Sequence, residues 1–75
     1  MSGHAAERLV DARGQGCPWP VIRLARAARD LGGQGRIRLL ADDPVAPGEI
    51  AALCAERGWT LIDGEGAFLI EIGGS

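Results

Sequence analysis

Apolar side chains return at helical spacing between Pro18 and Leu31. Val21, Leu24, Ala25, Ala28 and Leu31 fall on one side of a helical wheel, while Trp19, Arg23, Arg26 and Asp30 gather on the other. This pattern predicts an amphipathic helix with the first set in the core and the second at the surface. Pro18 suits the first helical position, where its missing N–H costs nothing, and Gly32-Gly33 supply the stop. Ahead of the helix, Leu9-Val10 within Arg8 to Asp11 reads as a short strand, closed by Arg13-Gly14-Gln15-Gly16. Beyond it, Arg36 and Arg38 alternate with Ile37 and Leu39 before Leu39-Leu40-Ala41 turns fully apolar, the pattern of a strand entering a core. A second helix is expected from about Pro47 to Arg57, with Ile50, Leu53 and Cys54 on one face and Gly58 closing it. Trp59 to Asp63 and Ala67 to Ile72 then read as two strands joined by Gly64-Glu65-Gly66, a link suited to a hairpin.

The resulting order is β-α-β-α-β-β. A strand, helix, strand unit favours a right-handed crossover, which lets both helices cover one face of a mixed four-stranded sheet. The expected fold class is therefore α+β, a two-layer α/β sandwich. Its uncovered sheet face should be partly wet, in keeping with Arg36, Arg38, Thr60 and Glu71 among the apolar positions. Seventy-five residues make one domain spanning 1–75, with residues 1–7 expected to be disordered. A chain of this length buries roughly 60–65% of its unfolded surface, so there is no room for a second domain or a deep cleft.

Composition narrows the function classes. The net charge is −2, carried by eight arginines, no lysine and ten acids spread along the chain, which argues against direct nucleic-acid binding. Trp19, Trp59 and Phe68 are too few and too scattered for a base-stacking platform. The first residues lack an apolar signal core, and no apolar run is long enough to span a bilayer, so a cytoplasmic chain without a membrane partner is expected. Two cysteines 37 positions apart and a single histidine, His4, form no ligand set, so neither a metal nor another cofactor is expected.

Cys17 is the candidate reactive group. Lying at or beside the start of the first helix, its sulfur would face orphan N–H groups and the positive end of the helix dipole, which favour the thiolate and so predict a lowered pKa. Arg13, four residues upstream, would add positive charge if the loop folds back. The competing reading is a small, partly buried hydrophobe whose neighbours merely punctuate a helix. Cys54 shares the face of Ile50 and Leu53 and reads as an inert core thiol. Pro20 stands where a second cysteine would complete a Cys-x-x-Cys redox pair, so disulfide exchange lacks its resolving thiol. A permanent Cys17–Cys54 bond is not expected in a reducing compartment.

Trp19 is expected to project from the first turn beside Cys17, near Ile22, Arg23 and Arg26, as a partner-docking patch. Asp42 and Asp43 are expected to help start the second helix through capping or dipole contacts, with partner contact secondary. Gly14-x-Gly16 lacks the further glycine and lysine of phosphate-binding loops, and no histidine is placed to serve a serine or carboxylate hydrolase.

Asp11-Ala12-Arg13-Gly14-Gln15-Gly16-Cys17-Pro18-Trp19-Pro20-Val21, then Ala41-Asp42-Asp43-Pro44, then Ile50 and Cys54, resemble the TusA-like (SirA) sulfur-carrier family over nearly the whole chain. The shared features are the Cys-Pro-x-Pro signature with Pro18 and Pro20, the strand-ending Asp-Asp-Pro and the element order. The resemblance implies that Cys17 accepts sulfane sulfur as a persulfide from a cysteine desulfurase or rhodanese-type donor and hands it to a downstream acceptor protein. It also implies that Trp19, Ile22, Arg29 and Asp43 surround the docking site. Independently of the resemblance, a monomer that partners transiently is the default expectation. Gln15 stands where the family often has leucine, and the first helix carries arginines where a lysine is frequent. Two other readings remain open at this point: a non-catalytic binding or regulatory module in which Cys17 only caps a helix, and a thiol redox protein.

Overall fold

The structure, a computed structural model, describes residues 7–64 and 66–73. Six elements follow in order: β1 (Glu7–Asp11), α1 (Trp19–Asp30), β2 (Gly35–Leu40), α2 (Ala46–Arg57), β3 (Thr60–Asp63) and β4 (Ala67–Ile72). The strands form one sheet in the spatial order β1-β2-β4-β3. β1 and β2 run parallel with α1 as their crossover, whereas β4 is antiparallel to both β2 and β3. This is the α+β arrangement of two helices on a mixed four-stranded sheet. The disorder expected over 1–7 does not extend to Glu7, which is aligned with Arg36 in the parallel ladder. The rest of that segment, with His4, lies outside the described residues.

One sheet face is dry. β4 alternates strictly, burying Phe68, Ile70 and Ile72, and β2 does the same with Ile37 and Leu39. Leu39 lies between Val10 and Phe68, and Ile37 beside Ile70, so a continuous apolar layer crosses three strands. Leu24, Ala27 and Ala28 of α1 and Ala46, Ile50, Leu53 and Cys54 of α2 close over it. The opposite face carries ion pairs between Arg36 and Glu71 (3.5 Å) and between Arg38 and Glu7 (3.9 Å). Exposed Leu9 and Ile62 lie among them, so this face is wet only in part, as its alternation predicts.

The helical wheel of α1 is rolled relative to expectation. Pro20, Leu24, Ala27 and Ala28 are its buried residues, while Val21, Ala25 and Leu31 are half-buried against the core. The helix sits between two neighbours: Ala27 lines a groove with Val10 of β1, and Val21 lines another with residues of α2. Both helices start one residue away from their expected prolines. Pro18 is the N-cap of α1 rather than its first residue, and α2 begins at Ala46, so each helix carries a proline at its second position. That placement is tolerated because backbone N–H groups in the first turn have no intrahelical acceptor. At the other end of α2, Gly58 takes the left-handed conformation (φ 74°) and the Trp59 N–H closes on the Cys54 carbonyl at 2.9 Å.

Candidate functional site

Parallel strands release their following loops on the same side of a sheet, so the ends of β1 and β2 meet although 29 residues separate them in the chain. The loop after β1 is first tied to β2: the N–H of fully buried Ala12 donates to the Leu40 carbonyl at 2.7 Å. The Gln15 N–H then folds back to the Ala12 carbonyl (3.2 Å), with Gly14 at φ +80°, a conformation a side chain would strain. The acids that end β2 complete the clamp. Asp42 Oδ1 accepts the Gly14 N–H at 2.9 Å, and Asp43 Oδ2 accepts the Cys17 N–H at 3.1 Å.

This overturns the expected role of the two acids. No side chain caps α2, and only the Asp43 backbone carbonyl meets its first N–H, that of Ala46, at 3.0 Å. Both carboxylates instead accept from N–H donors of the Cys17 loop. Arg13 is likewise not turned toward sulfur. Its guanidinium binds the Asp11 carboxylate through two bonds of 2.9 and 2.8 Å, and its amide adds a third at 3.1 Å. Those bonds hold the Asp11 carboxyl down at about 2.

Cys17 precedes the Pro18 N-cap, through a cis Cys17–Pro18 peptide, and no side chain makes a cap bond to α1. The capping reading of Cys17 therefore fails, because the residue lies one position too early. Its thiol is exposed, whereas Cys54 is buried beneath α2, and both are free. Burial pushes the Cys54 thiol up, which fits its expected place in the core.

The Cys17 thiol is also pushed up, contrary to the expectation from the helix dipole. Loss of solvation is the first cause. The Glu49 carboxylate is the second, accepting from the protonated thiol and repelling the thiolate, and Asp43 adds further repulsion. Glu49 lies in the first turn of α2 and is the site residue that periodicity misses. Only its acidic position behind Pro47-Gly48 marks it, and that carries meaning once α1 and α2 are known to start side by side. Glu49→Gln removes the acceptor's charge, so the midpoint of Cys17 alkylation against pH should fall and the rate near neutrality should rise several-fold. An unchanged or higher midpoint would count against this account.

The expected docking residues divide. Trp19 and Ile22 are exposed, at 54% and 41%, on the turn that follows Cys17. Arg23 is instead half-buried and occupied: Nη1 donates to the Asp11 carbonyl at 2.6 Å and to Gln15 Oε1 at 3.2 Å. Gln15 thus finds its partner within the chain. Arg26 is exposed one turn further on, and Arg29 lies in the last turn of α1, about 15 Å along the axis from Trp19 at the usual helical rise. The structure brings Cys17, Asp43, Gly14, Pro18 and Trp19 together and leaves Arg29 remote. Among the described residues, no group of three or more histidine, cysteine or acidic side chains could hold a metal ion, and no helix is long and apolar enough to cross a membrane.

Known proteins share both the chain's pattern and its shape. Residues 8–72 match the family model of sulfurtransferase TusA. The sulfur carrier protein TusA of Pseudomonas aeruginosa is 33% identical over 60 residues, covering 80% of this chain and 76% of that protein. Its counterpart in Pseudomonas putida is 31% identical over 62 residues, covering 83% and 78%. A crystal structure of the SirA-like protein from Desulfitobacterium hafniense superposes with a TM-score of 0.73 at 26% identity, covering 91% of this chain and 99% of that one. With a family match across both helices and all four strands, this chain belongs to the TusA family of sulfur carriers.

Proposed function

We propose that this chain relays sulfane sulfur on Cys17 in the cytoplasm, as a monomer that meets its donor and its acceptor in turn. The observation that carries the reading is the contrast between its two thiols: Cys17 is exposed on a loop clamped by Asp42 and Asp43, while Cys54 is sealed in the core. A carrier needs one sulfur atom that two different proteins can reach.

The step is an exchange between cysteines. The Cys17 sulfur attacks the terminal sulfur of the donor's persulfide, the donor's S–S bond breaks as a new one forms, and the Cys17 proton leaves with the donor's thiolate. Sulfane sulfur moves without net oxidation or reduction, and the reverse geometry delivers it to the acceptor's cysteine. A cysteine desulfurase or rhodanese-type protein has the chemistry to be the donor. Because loss of solvation and the nearby acids disfavour the Cys17 thiolate, positive charge brought by a partner would favour its release. Trp19 and Ile22 supply apolar surface beside the sulfur for such an encounter.

Incubation of the chain with a cysteine desulfurase and cysteine, followed by peptide mass spectrometry, tests this. One added sulfur atom on the peptide containing Cys17 is the expected result. Sulfur on Cys54, or on neither cysteine with both donor classes, would overturn it.

A further inference from the structure

β1 is an edge strand whose outer side meets no other strand among the described residues. The Ala12 N–H donates to Leu40, and the parallel register continues from there. Arg8, Val10 and Ala12 therefore turn their backbone groups toward β2, while Glu7, Leu9 and Asp11 turn theirs outward. Arg23 already occupies the outward carbonyl of Asp11. Among the described residues no strand pairs with the outward N–H and C=O of Leu9, at the centre of β1.

Beside this edge, α1 and β1 frame a groove of about 430 Å³. Val10 and Ala27 form its floor, and Trp19 and Ile22 line one side. Its rim is basic. Arg8 pairs with Asp30 at 3.6 Å, and Arg23 is held by the Asp11 carbonyl and the Gln15 amide oxygen, close enough to the Asp11 carboxylate for its charge to be felt there. Arg26 has no carboxylate within ion-pair distance among the described residues. A positive groove with an apolar floor thus runs along an open strand edge, on a chain whose net charge is −2.

We propose that this edge accepts an extended acidic segment of a partner protein as an additional strand. The incoming backbone would pair with Leu9, its apolar side chains would enter the groove, and a carboxylate beside them would meet Arg26. A second copy of the chain fits poorly: antiparallel pairing centred on Leu9 sets Glu7 of each copy opposite Asp11 of the other and gathers both sets of arginines together. Trp19 follows Cys17 by two residues, so a strand bound here reaches the edge of the thiol loop. The proposal concerns binding alone and stands whether or not Cys17 accepts sulfur.

The test is an NMR titration of the full chain with an end-capped hexapeptide whose alternate, groove-facing positions carry both Val and Glu and whose other positions carry Thr, against a control of the same length with Lys in place of Glu. The Glu-containing peptide should shift resonances of β1 and of the exposed side of α1, and slow exchange of the Leu9 amide by about tenfold or more. The control should do neither. Arg26→Glu reverses an exposed charge and should weaken binding by roughly tenfold. Leu9→Pro deletes an outward N–H without removing a ladder bond, and should abolish binding while circular dichroism stays unchanged. An unperturbed Leu9 amide at millimolar peptide, equal binding of the two peptides, or full binding by the Arg26→Glu variant would each overturn the proposal. So would shifts confined to the other face of the sheet, or concentration-dependent dimers in sedimentation. If Leu9→Pro does not fold, Arg26→Glu and the control peptide still decide the matter.

Discussion

Replacing Cys17 with serine is expected to abolish sulfur acceptance outright and leave the fold unchanged. The side chain is exposed and contributes nothing to the core, while the clamp on this residue runs through its backbone N–H to Asp43, which serine retains. Serine therefore removes the nucleophile and little else. Cys54→Ala should retain full acceptance, at the cost of a small cavity beneath α2. The readout is sulfur gained per chain in the presence of a cysteine desulfurase and cysteine, with circular dichroism as the control on folding. Residual loading of the Cys17→Ser variant, or loss of loading in Cys54→Ala with the fold preserved, would refute the assignment.

The second large effect concerns stability. Leu24 and Ile50 are fully buried, one from each helix, over a single apolar layer. Truncating either to alanine should cost about 2–5 kcal/mol, the usual range for a core leucine or isoleucine. A domain of this size has a total stability of roughly 4–11 kcal/mol, so each change consumes a large share of it. Ile62→Ala, on the exposed face of β3, should fall within about 0.5 kcal/mol of the parent. Urea denaturation followed by fluorescence of the two tryptophans reads all three variants. Equal effects at Ile62 and Ile50 would mean that the division between dry and wet sheet faces is misplaced.

Periodicity carried the architecture a long way because each strand and helix declares its buried side locally. The alternation from Ala67 to Ile72 coincides with β4, and Ile50, Leu53 and Cys54 do line the buried face of α2. The roll of α1 was less legible. Val21 and Ala27 are both small and apolar, and only the positions of β1 and α2 decide which of them is covered. At the site, the Cys-Pro-x-Pro signature identified Cys17, but the tasks of the surrounding charges were hidden. Asp42 and Asp43 act on backbone 28 and 26 residues away, and their proximity to Pro44 and Pro47 suggested a local helix start instead. Arg13 lies four residues from Cys17, but Asp11, only two residues away, is the partner it binds. Glu49 is marked only by its acidic place in the first turn of α2, and its meaning arises only where two helix beginnings converge.

The acids around Cys17 bear on survival as well as on transfer. Peroxides oxidise thiolates far faster than thiols, and a sulfenic acid is ordinarily rescued by a neighbouring cysteine, a place that Pro20 fills here. Loss of solvation, Glu49 and Asp43 all disfavour the Cys17 thiolate, so the surroundings that restrain transfer should also restrain oxidation of this sulfur.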